Sequence, residues 1–418
     1  MRILFVTHAE KTHFFSMVPL AWALRTAGHE VRVATQPDMA EGVGEAGLTA
    51  VPLGSDHRWK QVMEANQDEE WPARVAEAVT HSADLGHDEL LRFFDETTER
   101  YFRIVNNDEF LDALVEYSRW WKPDLIVWEQ FTWAGAVAAQ VTGAAHARML
   151  WGADVVTRSR DDFLARLAER PEDERVDPLR NWLTEALARH GAAFDETVVN
   201  GHWTIDTNPP SHRIDNGLTV VGVRYVPYNG RAVLPEWLAA EPAKPRVAVT
   251  AGISVRSYFG FDIFGISALQ AFAGLDIELI ATLLPGPGES VDDAPENTTV
   301  VDFVPMHGLL PSCSAVIHIG GAGVQSTAAY YGVPQMILPG LWDTKVRGAL
   351  LDQSGAGISV PAEQFTPERV RENLVRLLED PAFREGAAAL RKDVLAAPSP
   401  NEVVPVLEDL TARHRTTG

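Results

Sequence analysis

The sequence predicts an α/β protein built from two parallel, doubly wound sheets. Three observations lead there. Short apolar runs alternate with helix-length segments from the first residues onward, a Pro/Gly-rich joint interrupts that rhythm past the middle, and beyond it the alternation restarts. At 418 residues the chain exceeds one ordinary core and suits two domains, each large enough to fold alone. The expected boundaries are 1–226 for the first domain, 227–245 for a linker, 246–400 for the second domain and 401–418 for a last helix.

Residues 3–7 read as an apolar strand, 18–27 as a helix closed by Gly28, and 30–34 as a second strand. A helix at 40–46 and a strand at 48–52 complete the pattern of a doubly wound sheet. From about Trp59 to Tyr117 the rhythm gives way to a long, acidic, largely helical insertion. A strand follows at 123–128 and a helix at 131–143. After Leu150 the chain is helical and charged to about His190, and weak strands follow at 203–205 and 218–221. The joint between Pro227 and Pro245 holds Asn229-Gly230, Pro235 and Pro242. Beyond it, strands are expected at 246–250, 277–282, 299–303, 315–317 and 336–338. Helices are expected at 264–273, 322–331, 367–378 and 402–413.

Composition excludes several classes of function. A net charge of -22 argues against nucleic acid or an anionic membrane as partner. One cysteine, Cys313, excludes a disulfide framework and fits a reducing cytoplasm. No stretch is long and apolar enough to span a bilayer, and Met1 runs straight into a strand without a signal peptide. No Asp-x-Asp occurs, so a metal–diphosphate clamp has no candidate. No Cys/His cluster is spaced for zinc, and there is no Gly-x-Ser-x-Gly elbow. Neither a metal nor a cofactor is therefore expected.

The most informative stretch runs from Ala315 to Thr344. A short strand leads through Gly320, Gly321 and Gly323 into a helix, which Gly332-Val333-Pro334 ends before the next strand. A glycine turn from strand to helix aims backbone N–H groups, at the positive end of the helix dipole, toward an anion such as a pyrophosphate. His318 adds a side-chain donor at the strand end. Two other readings use the same glycines. Gly321-x-Gly323-x-x-Ser326 with Asp343 loosely matches a dinucleotide fingerprint, although its glycines come late in the domain. The turn can also serve only to pack a helix on a sheet.

His318 to Ala328, Gly332-Val333-Pro334-Gln335 and Trp342-Asp343 resemble the donor signature of inverting natural-product glycosyltransferases with the GT-B fold of two Rossmann-like domains. Ile319 stands where that family usually has a second His, and Val324 where it has Ser or Thr. The run from Thr12 to Val31 resembles the opening of deoxysugar transferases acting on macrolides and aromatic polyketides. The resemblance implies a first domain for a polyketide acceptor and a second for a dTDP-sugar, their parallel sheets facing across a cleft and the last helix, 401–418, returning to the first domain, with metal-independent transfer to an acceptor hydroxyl. It implies His13 as the base that deprotonates this hydroxyl and Glu129 as the residue that orients it. It assigns the donor site to Gly252, Ser254, Val304, His318, Gly320, Gly321, Ala322, Gly323, Val324, Asp343 and Thr344, with the backbone around Val304 pairing with the nucleotide base. The subgroup implies a cytochrome-P450-like activator protein, and a homodimer is compatible with it. A GT-B sugar-nucleotide epimerase and a non-catalytic sugar-nucleotide-binding partner remain alternatives. His8, in the same loop as His13, is the next residue to consider as base.

Overall fold

The structure, a computed structural model, describes residues 1–65, 68, 70–254, 265–340 and 342–416. The chain forms two units, each around its own parallel sheet. The first comprises Met1–Thr207, Arg213–Val223 and Pro398–Gly418, and the second Asn208–His212 and Arg224–Ala397. Residues 208–212 and 224–226, expected in the first domain, thus group with the second, as does the expected linker at 227–245. Side-chain anchors explain this. Asp393 accepts from the Ser211 N–H at 3.0 Å and its hydroxyl at 2.6 Å, and Asn229 Oδ1 accepts from the His307 N–H at 3.0 Å.

In the first unit β1 (Arg2–Val6), β2 (Glu30–Thr35), β3 (Ala50–Pro52), β4 (Leu125–Glu129), β5 (Ala145–Leu150), β6 (Trp203–Asp206) and β7 (Val220–Gly222) lie in the order β3-β2-β1-β4-β5-β6-β7. The order reverses between β1 and β4, where Val6 pairs with Trp128. In the second unit β8 (Arg246–Thr250), β9 (Glu278–Thr282), β10 (Thr298–Val300), β11 (Ala315–His318), β12 (Gln335–Ile337) and β13 (Gly357–Ser359) lie in the order β10-β9-β8-β11-β12-β13. Here the reversal falls between β8 and β11, with His318 opposite Thr250. Loops that part at such a reversal leave a crevice beyond the strands' carboxyl ends, which is where open α/β sheets bind ligands.

Three differences from the sequence reading have clear causes. The first helix runs Lys11–Thr26 with Pro19 inside it, whereas proline's preference for a first turn places the start near Val18. The segment expected as a helix at 264–273 is a 3₁₀ helix, Ile266–Phe272, and Phe264 lies outside the described residues. Strand β5 was not expected, because its buried His146 and Arg148 interrupt the apolar run. The insertion is helical at Trp59–Ala65, Trp71–His81, His87–Thr97 and Asp108–Trp121, with a π-helical turn at Thr98–Phe102. No helix among the described residues is long and apolar enough to cross a membrane.

The last helix, Val404–His414, belongs to the first unit and covers a histidine cluster. The rings of His414 and His202 stack at 4.7 Å, and His202 Nδ1 accepts from the His146 N–H at 3.1 Å. Burial, then the His202 charge, lowers His146 from the usual 6.5 to about 3, and burial also lowers His202. Protonation would turn an Nδ1–H against the Trp128 indole, which donates to that nitrogen at 3.2 Å. The folded pKa lies below the unfolded one, so the unfolded chain takes up the proton first. The associated stability is full above pH 6.5 and is lost as pH falls from there toward 3. Thermal unfolding against pH should show this acid limb. His146→Asn, which can still accept from Trp128 but cannot titrate, should make the limb shallower; an unchanged slope contradicts the assignment.

Candidate functional site

Glu129 ends β4 at the reversal of the first sheet and is 1% exposed. Its Oε1 accepts from His13 Nδ1 at 3.1 Å and from the Trp151 indole at 2.8 Å. Its Oε2 accepts from the Thr132 hydroxyl at 2.8 Å and the Phe131 N–H at 3.2 Å, with His8 Nδ1 also 3.2 Å away. Burial alone would raise this carboxyl. The adjacent His13 and His8 imidazoles outweigh that and hold it well below the usual range, so it is ionised. A carboxylate can only accept, which assigns the Nδ1–H tautomer to His13 and leaves Nε2 as its basic nitrogen.

His13 is not in a loop, as expected, but in the first turn of the helix Lys11–Thr26. Glu10 caps that helix, accepting from the Thr12 N–H at 3.4 Å and the Thr12 hydroxyl at 3.1 Å. The helix fixes the backbone of His13, and Trp151, with ring centroids 4.6 Å apart, limits its ring. His8, at the end of β1, is buried at 1% exposure against the same carboxylate. Ligand-type atoms of His8, His13 and Glu129 lie within 4.8 Å of one another. A cation there would have to displace the indole, hydroxyl and amide donors that already fill the carboxylate's lone pairs.

In the second unit the stretch after β11 forms a tight turn into the helix Ala322–Tyr331. Gly320 has φ +92°, and a Cβ there would lie 2.9 Å from Thr344 Cβ and Cγ2, so only glycine fits. Gly321 precedes the helix without a capping side chain. The first-turn N–H groups of Ala322, Gly323 and Val324 have no intrahelical acceptor, which suits them to an anion. Cβ positions at Gly321 meet nothing within 4 Å, and at Gly323 only the Tyr225 hydroxyl at 3.9 Å.

Two expected roles change here. His318 does not offer a donor: its Nδ1 accepts from the Gly320 N–H at 3.1 Å and its Nε2 donates to Gln335 Oε1 at 3.0 Å. Burial lowers it to about 4, so it is neutral at physiological pH and shapes the turn. Asp343, expected in the donor site, is 3% exposed and its two oxygens accept from Arg347 at 2.7 and 3.1 Å. Arg347 also donates to Gln325 Oε1 at 2.5 Å and to the Gly320 carbonyl.

Arg347 was not singled out in the sequence. Its signal was the four-residue spacing from Asp343, a helical ion-pair spacing. Tyr225, also unforeseen, donates to the Gly323 carbonyl at 3.2 Å from the segment after β7. Thr344 Oγ1 accepts from the Gly340 N–H at 3.1 Å. Gly252, with φ +81°, donates to Thr250 Oγ1 at 3.2 Å at the end of β8, beside β11, and the half-buried Ser254 follows two residues on. The Val304 side chain is buried in the core with Ala248, Ile280 and Val316, so any ligand contact there runs through backbone. Val324 packs partly against the same cluster.

The chain has clear relatives. Family models described as erythromycin biosynthesis protein CIII-like, N-terminal domain and C-terminal domain, match residues 22–252 and 267–410. The chain is 46% identical to 10-deoxymethynolide desosaminyltransferase of Streptomyces venezuelae over 420 residues, 99% of this chain and 98% of that protein. It is 45% identical to 3-alpha-mycarosylerythronolide B desosaminyl transferase of Saccharopolyspora erythraea over 424 residues, 99% of each. Among solved structures, the glycosyltransferase VinC in complex with dTDP matches with a TM-score of 0.86 and 36% identity, over 99% of this chain and 100% of that one.

Proposed function

Because this chain belongs to the erythromycin biosynthesis protein CIII-like family and is a glycosyltransferase, we propose that it moves a deoxysugar from a dTDP-sugar to a hydroxyl of a polyketide-derived acceptor. Transfer proceeds with inversion and without a metal. One observation carries the mechanism: His13 Nδ1 sits 3.1 Å from the ionised Glu129, which leaves Nε2 as a base. An alcohol is too weak an acid to ionise unaided at neutral pH, and imidazole titrates near the working pH. Nε2 takes the hydroxyl proton as the acceptor oxygen bonds to C1 of the sugar. The bond from C1 to the diphosphate oxygen breaks, and dTDP leaves. The imidazolium formed rests against Glu129. In the second unit the amides of Ala322, Gly323 and Val324, with the dipole of their ten-residue helix, stabilise the leaving diphosphate.

Ligand-induced thermal stabilisation tests this reading. dTDP is expected to raise the melting temperature more than UDP, GDP or NAD does, and turnover with a dTDP-sugar and acceptor is expected to survive a chelator. A larger shift with NAD points to dinucleotide chemistry instead. Activity lost to chelator and restored by magnesium or manganese contradicts the metal-free diphosphate site.

A further inference from the structure

Glu129 holds two imidazoles, and the mechanism above uses one. His8 N–H donates to Thr132 Oγ1 at 3.1 Å, and His8 Nδ1 lies 3.1 Å from the same oxygen and 3.2 Å from Glu129 Oε2. The single hydroxyl proton of Thr132 goes to Glu129 Oε2 at 2.8 Å, so Thr132 can only accept from His8. The bonds therefore run one way, from His8 through Thr132 to Glu129. We infer that His8 is a positioning residue for the reaction: through Thr132 and directly, it fixes the Glu129 carboxylate so that Oε1 stays aimed at His13 Nδ1.

The arrangement has physical consequences. A carboxylate held on only one oxygen can swing about its last torsion, whereas donors on both sides fix its plane. Glu129 Oε2 is held by Thr132, the Phe131 amide and His8, all buried, while Oε1 accepts from the Trp151 indole and the partly exposed His13. His8 is surrounded by Glu129 from β4, His13 from the first helix, His57 at 5.8 Å from the loop beyond β3, and Tyr101 at 6.3 Å from the π-helical turn. Glu10 is next in its own loop, donating its N–H to the His8 carbonyl at 2.7 Å.

The inference rests on the His13–Glu129 reading, and a double-mutant cycle separates the two. His8→Leu is expected to lower kcat roughly 10-fold with KM for donor and acceptor unchanged, since a small misplacement near the chemistry is costly. His8→Asn, whose amide can donate from near the Nδ1 position, is expected to recover most of that loss. In a Glu129→Gln background His8→Leu should cost nothing further, because its target is already gone. An equal loss in both backgrounds, or wild-type turnover in His8→Leu, overturns the inference. If His8→Leu does not fold, His8→Gln, whose amide reaches the Nε2 position, takes its place with the same expectations. If Glu129→Gln itself costs nothing, the underlying His13–Glu129 reading fails instead.

Discussion

Replacing Arg347 with methionine is expected to destabilise the second unit by about 3–5 kcal/mol, the usual cost of removing one partner from a buried ion pair. The reason lies in how many groups depend on that guanidinium. It is 6% exposed, neutralises Asp343, and donates to Gln325 Oε1 and the Gly320 carbonyl. Without it, the almost fully buried Asp343 carboxyl loses its cation, and the glycine turn loses its tether. Asp343→Asn should be milder, because an amide can still accept from Arg347. Chemical denaturation should show the lower midpoint for Arg347→Met, together with a smaller melting shift on adding dTDP. Wild-type stability and a wild-type dTDP shift would mean that the turn is held by something else.

Much of this architecture could be read from the sequence, and the parts that could not share a physical cause. Strands such as β1 and β8 are apolar runs, and Gly320 lies in a turn that demands positive φ. Strand β5 was hidden because its polar residues find partners only in the fold: Arg148 reaches Asp154 and Thr204, and His146 accepts from Trp128. His318 looked like a ligand donor because Gln335, which occupies its Nε2, is seventeen residues away on the next strand. From sequence alone, only family resemblance pairs His13 with Glu129, 116 residues apart; in the structure the pairing of β1 with β4 brings them close. Composition and periodicity carry no trace of such a pairing. The Asp343–Arg347 pair was visible as a spacing, but not as a buried clamp.

The second large effect concerns the base. His13→Ala removes the basic nitrogen while leaving Glu129, Trp151 and the entire second unit unchanged. General bases typically contribute roughly 10²–10⁴-fold to rate, and kcat is expected to fall by that factor. Donor binding should not change, since the proposed diphosphate site is built from residues of the other unit. Glu129→Gln should fall between His13→Ala and the unmodified chain, because it removes charge and orientation but keeps the imidazole.

The central claim is most directly tested by measuring kcat of His13→Ala, with dTDP-sugar and acceptor both saturating, beside its dTDP dissociation constant. A fall of roughly 10²–10⁴-fold in kcat with an unchanged dTDP constant is the expected result. Near-normal turnover, or a loss explained by weaker dTDP binding, contradicts the account.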